Sequence, residues 1–334
     1  MDRQFPPEIV DFIIEASLDP FDCFSTRLRG SAVRYSTLKN YCLLNKTWRA
    51  FSEPLLYKVV VIRSEETALL LLDAAKDRGG ELEQVRDLRI RGIDLDDDTD
   101  ARRIFSVVPG VVDLLLWDCA IKFDDLAHLK QLRRLDMRNV EDIGLSSTLI
   151  LPSLHHLKLW ECYPSPTAPF VLTRSSLPEL RHLDICNTEA SVDSLIPQLE
   201  AISCETYDDH SLTDATSLQL LHLSHSSYFD VTTTVLSRLP VLPPFICIDC
   251  DVHPDNGTEE SALESFEQVL ASTKEGLRVI LICDGWVGQE LEMLVKRAES
   301  RSIRVVKEKR WLNFDDAIDA MKRILAQEER NDWE

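Results

Sequence analysis

The chain has 334 residues, of which 44% are apolar and 28% charged, so it is predicted to fold around substantial cores. It carries 37 Lys and Arg against 57 Asp and Glu, a formal net charge of -20. A surface this acidic repels phosphate backbones, so general nucleic-acid binding is not expected. The longest apolar runs, at 68–72 and 279–283, have five residues each. They are too short for a membrane span, which requires about 20.

The cysteines and the N-terminus both indicate a reducing compartment. Nine cysteines are scattered from Cys23 to Cys283 without the dense spacing of a small secreted scaffold, so we expect free thiols. The first residues show neither a basic segment followed by an apolar stretch nor an Arg- and Ser-rich leader. We therefore expect a cytoplasmic or nuclear protein.

Charge and periodicity divide the chain. Residues 1–60 hold 7 acids and 8 bases, which leaves 50 acids and 29 bases for the rest. Apolar spacing is helical to about residue 58 and strand-like from about Val85. We predict four segments: a helical domain over 1–60, a strand and connecting helix over 61–84, a repeat domain over 85–310 and a C-terminal helix over 311–334.

Two helices are predicted in the first segment. Ile9 and Ile13 lie four residues apart after a pair of prolines, which is typical of a short amphipathic helix. A loop over 18–35 follows, and a second helix from about Ser36 contains Leu44 and Trp48.

The end of this segment is predicted to change from helix to strand. Pro54 is expected to end the second helix, because the residue before a proline is disfavoured in helical conformation. The β-branched run 58–62 is expected to form a strand.

Three blocks of this region resemble the F-box in order and approximate spacing: Phe5-Pro6-Pro7-Glu8-Ile9, Cys42-Leu43-Leu44-Asn45-Lys46-Thr47-Trp48-Arg49 and Pro54-Leu55-Leu56-Tyr57. Phe5 replaces the usual leucine, and the segment around 21–35 is longer than usual. The resemblance implies docking to a Skp-type adaptor of a cullin ubiquitin ligase. The matching positions are Pro6, Ile9, Ile13, Leu44, Trp48 and Leu55. The alternative is an unrelated small helical domain with a buried tryptophan.

A repeating pattern follows, with apolar residues at positions 1, 4 and 6 of units that begin at 85, 111, 132, 154, 180, 199, 218 and 277. A degenerate strand at 245–248 is expected in the last, longer gap. The pattern resembles irregular leucine-rich repeats over about 85–283, with Cys119 and Cys162 at the ninth position, and a conventional α/β sheet is the alternative. The predicted fold class is α/β: an N-terminal helical F-box, then an irregular leucine-rich-repeat solenoid of parallel strands with a helical C-terminal cap. Such a chain resembles fungal-type F-box proteins with leucine-rich repeats.

Residues between the apolar positions should point away from the core and form rows across neighbouring strands. Their candidate partner-binding members are Arg134, His156 and His182 in one row, Asp136, Lys158 and Asp184 in the next, and Arg138 and Trp160 in a third. One interpretation is self-neutralising surface decoration. The other is a partner-binding face with Trp160 at its centre.

The last predicted element is an amphipathic helix that starts at the candidate N-cap Asn313 and is expected to cap the open end of the array.

Several chemical motifs are incomplete. Cys247 and Cys250 lack a second ligand pair for zinc, although His253 is near. The acidic run 94–100 lacks the glycine and final glutamate of a calcium loop. The Gly285-x-x-Gly288 segment is too short for a phosphate-binding fingerprint. We expect no metal, no cofactor and no catalytic residues.

The leading hypothesis is a substrate-recognition subunit of a Skp-cullin-F-box type ubiquitin ligase, which binds the adaptor through its F-box and a protein target through its repeats. The first alternative is a repeat scaffold outside any ligase, with the N-terminal helices as its end cap. The second is an enzyme that uses the region of Gly285 on an α/β sheet.

Overall fold

The structure is a computed structural model that describes residues 10, 13, 36–93, 98–121, 123–141, 149–163, 170–188, 190–204, 212–225, 231–250, 258–272, 274–283, 288–308 and 313–331. The chain divides into two compact units, the first containing residues 1–119 and 128–132 and the second residues 120–127 and 133–334. The four segments anticipated from the sequence stay a prediction. None of the described helices combines the length and the apolar character that crossing a bilayer requires.

The first unit combines helices with three parallel strands. Residues 10 and 13 are helical, and the elements after them are α1 (36–44), α2 (Lys46–Leu56), β1 (Val59–Ile62), α3 (Glu65–Asp77), β2 (Asp87–Arg91), α4 (Asp98–Val107) and β3 (Asp113–Ala120). Strand β2 pairs with β1 on one side and with β3 on the other, so that Val60, Leu88 and Leu114 lie in register. The strand expected over 58–62 is confirmed as β1.

The helix expected from Ser36 is interrupted at Asn45, so the prediction of one continuous helix was wrong. Asn45 has an extended backbone, with φ -167° and ψ 179°. Its side-chain oxygen accepts hydrogen bonds from the backbone N–H groups of Thr47 at 2.9 Å and Trp48 at 3.1 Å. These bonds satisfy two of the donors that a helix start leaves unpaired, and α2 therefore begins here.

Pro54 lies inside α2 and does not end it, contrary to the sequence-based expectation. The helix continues to Leu56, and both Leu55 and Leu56 pack against the buried cluster around Trp48. Apolar packing of the last turn thus outweighs the local preference of the residue before proline.

The second unit contains eight described strands with helices between or after them. Its elements are β4 (Arg134–Glu141), β5 (His156–Trp160), β6 (His182–Cys186), β7 (Ala201–Cys204), β8 (Leu220–His225), α5 (Val231–Arg238), β9 (Phe245–Cys250), α6 (Thr258–Ala271), β10 (Val279–Cys283), α7 (Gln289–Ser300), β11 (Arg304–Glu308) and α8 (Phe314–Asn331). Each strand pairs in parallel with the next one along the chain. The degenerate strand expected at 245–248 is confirmed as β9.

The spacing of apolar residues in the sequence corresponds to the register of these strands. The residues at the fourth position of successive sequence repeats pair across the sheet, and they are Leu135, Leu157, Leu183, Ile202, Leu221, Ile246 and Ile280. All seven side chains are at most 3% exposed. Because a slip of one residue would turn every one of them to the opposite face, burial of this row fixes the register.

A left-handed residue lies within or directly after the strand in five successive repeats. It stands at the eighth position in each, with φ between 46° and 64°, in Gly92, Asp118, Asn139, Glu161 and Asn187. Glycine, asparagine and aspartate are the residues that tolerate this conformation best. The turn returns the ninth residue to the core, where Ile93, Cys119, Val140, Cys162 and Thr188 are buried.

Strands β8, β9 and β10, unlike the edge strand β11, are buried on both faces. All five residues of β10 are buried, α6 contacts β9, and α8 lies against the opposite face, where the Phe314 ring centroid is 5.8 Å from that of His222. Parallel strands covered on both sides have continuous apolar sequences, as in 279–283. Helix α8 was expected to cap the open end of the array, but it lies across the face that carries the polar rows.

Candidate protein-interaction sites

The proposed adaptor-binding residues lie in different environments. Pro6 and Ile9 are outside the described residues. Ile13 and Leu55 are partly buried against a cluster formed by Val10, Leu38 and Trp48. Leu44 is 60% exposed and therefore open to a partner.

Trp48 is a core residue and not an exposed anchor. Its side chain is only 9% exposed, and its ring centroid lies 5.0 Å from that of Tyr41 in a tilted arrangement. Since Tyr41 belongs to α1 and Trp48 to α2, this contact holds the two helices together. Trp48, one of the six positions matched to adaptor binding, therefore lies in the core of this segment.

An exposed apolar pair lies at the end of α1. Leu43 is 77% exposed and its neighbour Leu44 is 60% exposed, next to the half-buried Cys42. Burial, and then the nearby Glu53 carboxylate, raise the pKa of Cys42, which keeps this thiol uncharged at neutral pH. The end of α1 is therefore an apolar surface. We call Leu43 and Leu44 the leucine pair.

The polar rows of the second unit align as the sequence predicted. Arg134, His156 and His182 are in register across β4, β5 and β6, as are Asp136, Lys158 and Asp184 two residues later. Arg138 and Trp160 are also in register, two residues further on.

The middle row is buried, so the expectation that it faces open solvent was wrong. Asp136, Lys158 and Asp184 are between 6% and 8% exposed. The Lys158 ammonium forms an ion pair with Asp184. Arg138 donates to both oxygens of Asp136, from Nε at 3.0 Å and from Nη2 at 3.1 Å.

These contacts keep the row charged despite its burial. Burial alone would raise the pKa of Asp184, but the Lys158 ammonium, with smaller contributions from His222 and Ser203, holds that pKa below its usual value. Burial would likewise lower the pKa of Lys158, and the carboxylates of Asp184 and Asp136 raise it instead. Removing one partner would leave an unpaired buried charge, which is strongly destabilising.

Helix α8 covers the first row. Asp315 forms an ion pair with Arg134 and places an oxygen 3.3 Å from Nε2 of His156. Burial lowers the pKa of His156 to about 3 and, together with Lys322, that of His182 to about 4. Both rings are therefore neutral at pH 7, and the contact between His156 and Asp315 is not a charge pair. With α8 in place, His156 is buried, and Arg134 and His182 stay partly exposed.

A cleft of about 80 Å³ lies where α8 begins. Its walls include Trp160, Asp184, Ser203, His222, Asp249 and Phe314. We call it the Trp160 cleft. The sequence analysis missed Ser203 and His222, although both are at the fifth position of their units and pair in register with the row that contains Lys158 and Asp184.

Ser203, His222 and Asp249 superficially resemble a nucleophile, a base and an orienting acid. Ser203 Oγ lies 2.9 Å from Nδ1 of His222, whose Nε2 is 4.0 Å from Asp249. However, the 4.0 Å between Nε2 of His222 and Asp249 exceeds hydrogen-bond distance, and the Ser203 hydroxyl also lowers the pKa of the Asp184 carboxyl. The arrangement therefore favours a buried polar network over an activated nucleophile.

The motifs considered for metals and phosphate are mostly not described. His253, the acidic residues 94–97 and Gly285 lie outside the described residues. Within the described part of the chain, no three or more His, Cys, Asp or Glu side chains are grouped as metal ligands.

Comparisons with known proteins do not assign the chain to a family. A scan against protein-family models finds no match, and no curated protein matches the sequence at a significant level. The resemblances to the F-box and to leucine-rich repeats therefore rest on the residues of this chain.

Proposed function

We propose that this protein is a substrate-recognition subunit of a Skp-cullin-F-box type ubiquitin ligase. The N-terminal helices would dock a Skp-type adaptor, and the strand array would hold a protein target. Its contribution is proximity, because holding a target beside the ligase raises the effective concentration of target lysines at the charged ubiquitin carrier. The bond chemistry belongs to other subunits.

The strand array supports assignment to irregular leucine-rich repeats. Successive strands pair in parallel with matching apolar positions, and a left-handed eighth residue is followed by a buried ninth residue. Cysteine is one of the two residues typical of that ninth position, and Cys119 and Cys162 occupy it. The backbone N–H of Cys162 donates to Thr188 Oγ1 of the next unit at 3.0 Å, which ties neighbouring turns together.

The leucine pair is the observation that carries the docking proposal. It belongs to the middle block of the F-box resemblance and is among the most exposed apolar surfaces of the described residues. Burying one leucine side chain completely contributes about 1.5–3 kcal/mol. Because Leu43 and Leu44 are already partly covered, we assign about 3 kcal/mol to the pair, or about a hundredfold in affinity.

A matched pair of variants tests the docking proposal. Calorimetric titration of the full chain with a purified Skp-type adaptor is expected to show binding that Leu43→Asp/Leu44→Asp weakens by about a hundredfold. The control, Leu69→Asp/Leu70→Asp, changes two leucines of α3 that are 50% and 60% exposed and should leave binding unchanged. Equal weakening by both double variants, or by neither, would contradict the assignment of the docking surface.

A scaffold outside any ligase is the second candidate. The burial of Trp48 favours it, since a hydrophobic end cap needs such a core residue and no adaptor. This candidate predicts that the full chain binds its target but no Skp-type adaptor, so the same titration separates the two functions.

A further inference from the structure

The Trp160 cleft is large enough to hold the end of one side chain. Its volume is about 80 Å³, and one water molecule requires about 10–15 Å³ of such space. The cleft therefore accommodates several waters or the end of one long side chain. Sites for drug-sized ligands and cofactors are several times larger.

Two aromatic rings form walls of this cleft. Trp160 is 37% exposed, and its ring already attracts cations, with Arg138 5.0 Å and Lys158 5.1 Å from the ring centroid. Phe314, at the start of α8, provides a second aromatic wall. Aromatic faces stabilise cations because the ring quadrupole gives each face a negative electrostatic potential.

The charge of the surroundings is negative. Lys158 and Asp184 neutralise one another, and Asp249, whose carboxylate lies 4.0 Å from Nε2 of His222, adds a further acidic group to the lining. Burial raises the pKa of the nearby Cys247 thiol, and among the groups that raise it further are Asp249, Asp316 and Glu308. Of these three carboxylates, Asp249 lines the cleft itself, while Glu308 is paired with Arg323.

The positive end of α8 does not reverse this charge. Its N-terminus at Asn313 borders the cleft, and a helix N-terminus by itself favours anions. However, two acidic residues occupy the first turn, Asp316 and the Asp315 that pairs with Arg134, and acidic residues there offset the partial positive charge of a helix start. Asp249 already contacts the thiol of Cys283 at 3.5 Å, and a carboxylate has room for further donors.

From this lining we infer that the Trp160 cleft receives the basic side chain, lysine or arginine, of a protein partner. The ammonium or guanidinium would bind Asp249, and the aliphatic stem would lie between Trp160 and Phe314. The net charge of -20 is complementary to such a partner and would accelerate its approach. The inference rests on the proposed function only in assuming that this unit binds a protein.

The test uses side-chain probes with the full chain. N-acetyl-lysine methylamide, N-acetyl-norleucine methylamide and N-acetyl-glutamate methylamide are titrated separately, and the indole N–H signal of Trp160 is followed by nuclear magnetic resonance. The Trp160→Phe variant assigns that signal by its disappearance. The lysine probe should produce a saturable shift, and the norleucine and glutamate probes should bind at least about tenfold more weakly because they lack the cation.

Carboxylate variants complete the test. Asp249→Asn should weaken the lysine probe at least about fivefold, whereas the exposed control Asp214→Asn in the turn Leu212–Asp214 should not. If Asp249→Asn does not fold, Trp160→Leu serves instead, with the lysine probe followed by calorimetry. No saturable shift, equal binding of norleucine, or tighter binding of glutamate would overturn the inference. None of these outcomes affects adaptor binding, so the proposed function is judged separately.

Discussion

Acidification from pH 7 to pH 5 is expected to destabilise the second unit through His156 and His182. Both rings are buried or partly buried beneath α8, with their centroids 5.7 Å apart. Burial lowers the pKa of His156 to about 3 and, with Lys322, that of His182 to about 4. In the unfolded chain, a histidine has a pKa of about 6.5.

The direction of this pH effect depends on whether the folded or the unfolded chain binds more protons. Below about pH 6.5 the unfolded chain takes up protons that the folded chain does not, so the free energy of unfolding falls as the pH falls. At pH 5, about 1.5 units below the unfolded value, His156 costs about 2 kcal/mol. His182 is less completely buried, and solvent screening reduces its share to roughly 1–2 kcal/mol. The two together remove about 3–4 kcal/mol.

Urea unfolding of the full chain, followed by tryptophan fluorescence at pH 7 and pH 5, measures this loss. At pH 5 most carboxylates remain ionised, since the unfolded pKa values of aspartate and glutamate are about 3.9 and 4.3, and the histidines therefore dominate the change. The His156→Phe variant keeps an aromatic ring at this position but removes the titrating group. The difference in the free energy of unfolding between pH 7 and pH 5 should therefore shrink by about 2 kcal/mol.

His155→Gln, which changes an exposed histidine one residue away, is the matched control. An identical pH dependence in the wild type and in His156→Phe would refute the reasoning, because it would mean that burial beneath α8 does not keep this ring neutral.

Three further predictions concern stability in urea. Glu161→Gly should stabilise the protein by about 1 kcal/mol, because Glu161 holds φ at 53° and glycine adopts that conformation without strain; destabilisation would contradict this conformation. Lys158→Ala should cost about 3–5 kcal/mol by leaving Asp184 unpaired, and the double variant Lys158→Met/Asp184→Leu should recover most of it; equal losses in both would refute the ion pair. Phe314→Ala should cost about 3–5 kcal/mol and increase hydrogen exchange in α8, since the ring lies 5.7 Å from that of His156; an unchanged exchange rate would argue against α8 covering this row.

The sequence predicted the strand array well because burial dictates it. One apolar residue of each repeat, from Leu135 to Ile280, pairs in register with that of the next strand. Because side chains alternate between the two faces of a sheet, only one assignment of residues to faces buries this row. The same assignment aligns the rows that contain Lys158 and Trp160. The left-handed turn was harder to predict. Gly92 and Asn139 are residue types that favour this conformation, but Glu161 at the equivalent position is not.

Features that depend on contacts distant in sequence were not predictable. The position of α8 is one, since amphipathicity shows that Phe314 is buried but not which surface buries it. The sequence did contain evidence that this face is covered. Leu220 and Phe245 occupy positions where an open face would carry polar residues, and both are fully buried. Helix α2 likewise passes through Pro54 because packing of Leu55 outweighs local preference.

Assembly with purified ligase components tests the central claim most directly. The full wild-type chain is mixed with a Skp-type adaptor and its cullin at about 10 µM, and the complex is measured by size-exclusion chromatography with light scattering. The proposed function predicts a complex containing one copy of each protein, which the Leu43→Asp/Leu44→Asp variant fails to enter. Elution of the wild-type chain apart from the adaptor at this concentration would contradict the claim that this protein is a ligase subunit.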